Sequence, residues 1–218
     1  MSATRDELLQ QYREVRASVN LHLGSALKFV SKGAMTDAAH ALKFSHGSSQ
    51  LSANLDVMQL VCDVAVFGKK PDERMRAFDR YARQCSFDVG SINAITLASL
   101  LDNKFCIVEV VERHDHAGLI VEDINRKTKM WLMDEGFEST AAPGLILGAR
   151  IIKPTEFYLT AGGAIPVSHE IIADALSRRR IWLKNSPTAT LDDLRFPAAL
   201  YGSALKSGAM KHFAYQGI

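Results

Sequence analysis

The sequence predicts an α+β fold, and three observations carry that expectation. Apolar residues recur at three- and four-residue steps from Thr4 to about Asn103. Near Lys104 the period changes to two, or to short apolar runs of strand length. Turn residues, not helical segments, separate those runs, and connections this short favour antiparallel neighbours over crossovers. The reading is a helical bundle over residues 1–103, a five-stranded antiparallel β meander or partly closed barrel over 104–168, and a C-terminal helical segment and tail over 169–218.

The first helix follows from Leu8, Leu9, Tyr12, Val15, Val19 and Leu23, with Arg and Glu between them, and Gly24 or Gly33 is expected to end or bend it. A second helix is expected over Thr36 to Phe44. Ser48 or Ser49 can cap a third, running to Phe67, in which Asp56, Gln59 and Asp63 draw a narrow polar line that reads as a wetted stripe. Gly68-Lys-Lys-Pro71 ends it, and Pro71, Asp72 and Glu73 suit the start of the next. Asp88 can cap a further helix through Leu101.

The strands expected next are FCIVEVV (Phe105 to Val111), GLIVEDI (Gly118 to Ile124), KMWLMDE (Lys129 to Glu135), LILGARII (Leu145 to Ile152) and EFYLT (Glu156 to Thr160). Gly148 and Ala149 mark a bulge or a close backbone approach, and Thr160-Ala-Gly-Gly-Ala164 reads as a tight turn. Ser168 can cap a helix bearing Ile171, Ile172, Ala175, Leu176 and Trp182. The remainder, interrupted by Pro187 and Pro197, is expected to pack loosely or against a partner.

The block LASLLDNKFCIVEVVERHDHAGLIVEDINRKTKMWLMDEGFE, followed by ARIIKPTEFYLTAGGAIPV, resembles the middle of a group of uncharacterised bacterial proteins. That group puts a helical N-terminal part before a "DE-G" turn and a "T-GG--PV" segment. The resemblance runs from Leu97 to Val167 and implies a bacterial origin and the architecture above. Its motifs are turn and strand residues, so it carries no functional residues over.

Composition narrows the function classes. With 47% hydrophobic and 23% charged residues the chain lies far from the signature of disorder. A net charge of +2 is too balanced to attract nucleic acid or an anionic membrane, so such binding would need a local patch. Three widely spaced cysteines without a C-x-x-C suggest neither a disulfide framework nor a zinc ribbon. The charged N-terminal stretch and the lack of a long apolar run point to a soluble, cytoplasmic protein.

The sharpest chemical candidate is His114-Asp-His116, which with Glu112 or Asp123 could offer nitrogens and a carboxylate to a borderline metal. Polar residues with glycine between two apolar strands also suit a solvated hairpin, and Ala117-Gly118 favours that reading. Asp134, Glu135 and Glu138, with Glu122 and Asp123 nearby, could supply paired carboxylates for acid/base work or a hard cation, or simply form a solvated turn at the end of a strand. Cys106 with His114 or His46 could form a nucleophile and base, but its phase with Val108 and Val110 places it in the core. Arg76, Arg80 and Arg83 on one helix, and Arg178, Arg179 and Arg180 on another, could meet phosphates, with Trp182 available for stacking. Cations in a last helical turn are also stabilised by the helix dipole alone.

The leading expectation is a non-catalytic binding or interaction module that needs no cofactor and acts through protein contacts or homo-oligomerisation. Its rivals are a metal-binding protein or hydrolase, with its site between the helical and β parts at His114, His116, Asp123, Asp134 and Glu135, and a nucleic-acid-binding protein using the arginine faces.

Overall fold

The computed structural model describes residues 4–43, 55–69, 74–182 and 193–209, of which 55–56 and 179–182 are described by their backbone alone. His46, Ser48, Ser49, Pro71, Asp72, Glu73, Lys184 and Pro187 lie outside the described residues, as do the side chains of Asp56, Arg179, Arg180 and Trp182.

Helix α1 (Arg5–Leu27) starts in a capping box, Thr4 accepting from the Glu7 amide and the Glu7 carboxylate accepting from the Thr4 amide. It buries Leu8, Tyr12, Val15 and Val19 as its spacing predicts, and it runs through Gly24 without a break. Helix α2 (Lys32–Ala41) begins earlier than Thr36 because the Ser31 hydroxyl caps it at the Ala34 amide. Next come α3 (Leu55–Phe67), α4 (Ala77–Ala82) and α5 (Ile92–Leu101), the last capped by Ser91 and not by Asp88.

Five antiparallel strands follow: β1 (Lys104–Arg113), β2 (Leu119–Asp123), β3 (Thr128–Leu132), β4 (Ile146–Ile152) and β5 (Leu159–Pro166). Their order, β3-β2-β1-β4-β5, departs from a simple meander, because β4 lies beside β1 and not β3. The reason sits at Asp134: its Oδ1 accepts from the amides of Gly136 and Phe137 at 3.1 Å, starting a helix, α6 (Glu135–Thr140), where the expected third strand was still extended. Helix α6 carries the chain to the free edge of β1. The sheet stays open, apart from one parallel bridge between Leu132 and Tyr158.

The segment expected as a tight turn after β5 lies inside it. Gly162 and Gly163 are there because α3 crosses β5 closely: a Cβ on Gly163 would sit 2.5 Å from Leu60 Cδ2. Gly148 answers the other glycine expectation twice over. The β4–β5 register shifts between Ala149 and Ile151, and a Cβ on Gly148 would meet Leu200 Cδ2 at 2.5 Å.

The two faces of the sheet are covered differently. Phe105, Ile107 and Ile165 pack under α2, α3, α7 (His169–Trp182) and α8 (Phe196–Ser207). Cys106, Val108, Val110, Leu119, Val121 and Met130 form the opposite face with Phe137 of α6. A third cluster joins α1 and α4 to Phe157, Leu159 and Ala161. For residues 196–204 the expectation of loose packing is corrected: Phe196 through Ala204 are all buried, so α8 belongs to the core, while 185–192 and 210–218 lie outside the described residues. An apolar helix that fills the space over Gly148 gains more by burial than by staying wet. Among the described residues no helix is long and apolar enough to cross a membrane.

Candidate functional site

Strand register assembles a polar cleft at one end of the sheet. Lys104 pairs with Ile151, Cys106 with Ala149, Val108 with Asp123, Asp123 with Thr128 and Val121 with Met130. Residues that pair across a ladder share a face, and so do residues two apart along a strand. One end of the Cys106 face therefore carries Lys104, Cys106, Asp123, Thr128, Met130 and Ile151. They line a cleft of about 320 Å³, which Ser99 and Asp102 from the end of α5, Arg126, Ile152, Lys153 and Tyr158 complete.

Asp123 is buried, and both of its oxygens are engaged. Oδ1 accepts from the amides of Asn125 (2.9 Å) and Arg126 (3.0 Å), and Oδ2 meets Arg126 Nη1 at 2.6 Å. Burial opposes its charge, but the Arg126 hydrogen bond and charge and the two turn amides outweigh it, and the carboxyl sits below its ordinary value. The Cys106 thiol behaves oppositely. Burial first, then the Asp123 charge, pushes it up to about 12, with Arg126 Nη1 3.6 Å from its sulfur. A thiol held so far from ionisation is a weak nucleophile at neutral pH. Lys153 lies 5.1 Å above the Tyr158 ring.

The sequence candidates are not brought together. His114 and His116 lie in the β1–β2 hairpin, where the His114 ring stacks on Trp131 at 4.2 Å and its Nδ1 accepts from the His116 amide at 3.3 Å. Asp123 is engaged in its own turn at the other end of β2. Asp134 caps α6 and meets Arg16 at 3.2 Å, and Glu135 pairs with Arg13 at 2.7 Å. Among the described residues no group of three or more His, Cys, Asp or Glu side chains is placed to hold a metal ion. Of the arginines, Arg76 clasps Asp79, Arg80 donates to the carbonyls of Met75 and Phe29, and Arg178 pairs with Asp174. Arg83 is exposed.

Sequence reasoning missed three buried polar networks. Asp63 is not part of a wetted stripe: it is buried, and its Oδ1 accepts from Arg150 Nε at 2.8 Å. Arg150 also donates to Asn103 Oδ1 at 3.0 Å, and its guanidinium lies 4.5 Å from the Phe67 ring centre. The Tyr201 hydroxyl lies 3.2 Å from Asp63 Oδ2 and 3.0 Å from the Gly163 carbonyl. Burial pushes the Asp63 carboxyl up, against the opposing pull of Arg150 and Tyr201. Secondly, Arg16 donates to the Thr160 carbonyl (2.6 Å) and hydroxyl (3.0 Å), and that hydroxyl donates to Asp134 Oδ2 at 2.9 Å. Thirdly, His22 is buried between the Tyr81 hydroxyl (2.7 Å) and the Asn93 carbonyl (2.9 Å). A carbonyl only accepts, so Nε2 carries the proton and Nδ1 accepts from Tyr81. The one local signal was an aspartate deep in the apolar run LVCDVAVF, with no basic residue on its own helix to pair with.

A family model described as a family of unknown function (DUF7986) matches residues 6–208. No curated protein matches the chain, and no solved structure does.

Proposed function

The chain belongs to this family of unknown function, and on that premise we propose that it is a non-catalytic interaction module working through the outer face of α5. One observation carries the reading. The segment from Val89 to Leu101 contains no charged residue, yet α5 buries only Thr96 and Leu100. Val89, Ile92, Ile95 and Leu101 are exposed, with Leu21 of the neighbouring α1 exposed as well. Scattered apolar residues are normal on a surface, but an uncharged helical stretch with its isoleucines outward is the pattern of a contact surface. Among the described residues the buried ionisable groups hold one another, which leaves the surface of α5 as the feature that stands out.

The partner proposed is a second copy of the chain. Ile92, Ile95 and the small Ala98 lie three residues apart, a spacing that lets two α5 helices pack about a two-fold axis, each presenting the same patch to the other. An uncharged patch also offers no electrostatic code for choosing a different partner. Sedimentation equilibrium on the full chain tests this. Self-association in the micromolar range is expected, and Ile92→Glu with Ile95→Glu should abolish it without changing the circular dichroism spectrum. A wild-type monomer throughout that range, or a variant that associates as before, would overturn the reading.

A further inference from the structure

We propose that the cleft at the Lys104 end of the sheet binds a small amphiphilic organic anion, with its head group between Lys104 and Lys153 and its apolar body against Met130 and Ile151. The cleft touches α5 only at Ser99 and Asp102, and neither Ile92 nor Ile95 lines it.

Charge comes first. Three cations and two carboxylates line the cleft. Asp123 Oδ2 and Arg126 cancel each other at 2.6 Å, and Asp123 Oδ1 accepts from two turn amides, so this carboxylate has little left to offer a cation. Lys104 and Lys153 are exposed, and neither has an ion-pair partner among the described residues. Lys153 rests over the Tyr158 ring, which orients the ammonium without neutralising it. The single remaining carboxylate, Asp102, is exposed, so the balance of the opening favours an anion.

The walls then select what kind of anion. Met130 and Ile151 are buried, and with Cys106 they give the cleft an apolar floor that bare phosphate or sulfate would not use. Pockets that hold small organic molecules combine such a floor with a few convergent polar groups, and about 320 Å³ lies at the small end of their range. Thr128 and Ser99 add hydroxyls at the rim. A carboxylate, a sulfonate or a phosphate monoester on a short apolar body meets these requirements equally. The buried Cys106 side chain adds one more apolar surface to that floor.

Titration calorimetry of the full chain with octanoate, together with methyl NMR, tests the proposal. Saturable one-to-one binding is expected, with shifts centred on the Met130 and Ile151 methyls and no binding of octanol. Lys104→Gln with Lys153→Gln should weaken octanoate by about tenfold, because two charge contacts are removed from a solvent-screened opening. Both lysines are exposed, so the variant should melt where the wild type does. Octyl phosphate, run in parallel, should bind if the head group is read only as an anion. The proposal fails if octanoate gives no saturable heat, if octanol binds equally, if the shifts fall elsewhere, or if the double variant binds unchanged.

Discussion

The Asp63–Arg150 pair and the seam between α1 and α6 use the same chemistry at different depths. In the first, both side chains are nearly lost to solvent, at 0% and 3% exposure. In the second, Arg5 and Arg13 remain 51% and 60% exposed while they reach Glu138 and Glu135, and only Arg16 sinks to 18% beside Asp134. All four contacts are 3.2 Å or shorter, so distance does not separate them. Depth does, because a buried charge without its partner cannot fall back on water. The buried pair therefore binds α3, β4 and α8 into one arrangement, while the seam only trims the position of α1 over α6.

Breaking the buried pair should have the largest effect. Asp63→Ala leaves the Arg150 guanidinium uncompensated and should cost about 3–5 kcal/mol in urea denaturation. Replacing both, Asp63→Leu with Arg150→Met, should recover most of that loss; a double variant as unstable as the single one would show that the pair is not the reason. Gly163→Ala attacks the same region from the backbone side, since the new Cβ would press on Leu60. It should cost about 1–3 kcal/mol and move α3 away from β5, visible as weakened protection of the β5 amides.

At the seam, Asp134→Ala removes the α6 cap and a partner of Arg16 and Thr160, and should lower stability by about 1–2 kcal/mol. A loss as large as that of Asp63→Ala would erase the contrast. His22 supplies an intermediate test, being buried but neutral. Burial lowers its pKa below the ordinary 6.5, although the Asn93 carbonyl pulls the other way. The unfolded chain therefore takes up the proton more readily, so the stability due to this group is complete above pH 6.5 and is lost as pH falls toward the folded value. The urea midpoint should drop between about pH 7.5 and pH 5, and His22→Gln should flatten that slope. The smallest effect is expected of Glu135→Gln, which should leave the melting temperature unchanged within error, because its partner Arg13 is open to solvent.

Much of the fold was legible in residue order because amphipathic period is a local property. The buried positions of α1 and the core phase of Cys106 with Val108 and Val110 follow from it directly. The helix α6 was less visible: its signal was Asp134 as a cap with Glu135 and Glu138 behind it, and the same residues also read as the polar end of a strand. The cleft was not visible at all. Lys104, Asp123, Met130 and Lys153 come from four places in the chain, and only strand register puts them on one opening.

Residue order alone determined the switch from coiled to extended segments near Lys104 and most of the elements on either side of it, since these depend on neighbours a few positions apart. Only the tertiary structure decided that β4 lies beside β1, that Asp63 meets an arginine 87 residues away and that Arg16 meets Thr160 across 144. Those contacts form only after apolar faces have chosen their partners, and a carboxylate carries no mark of whether the surface above it will be water or the side of another helix.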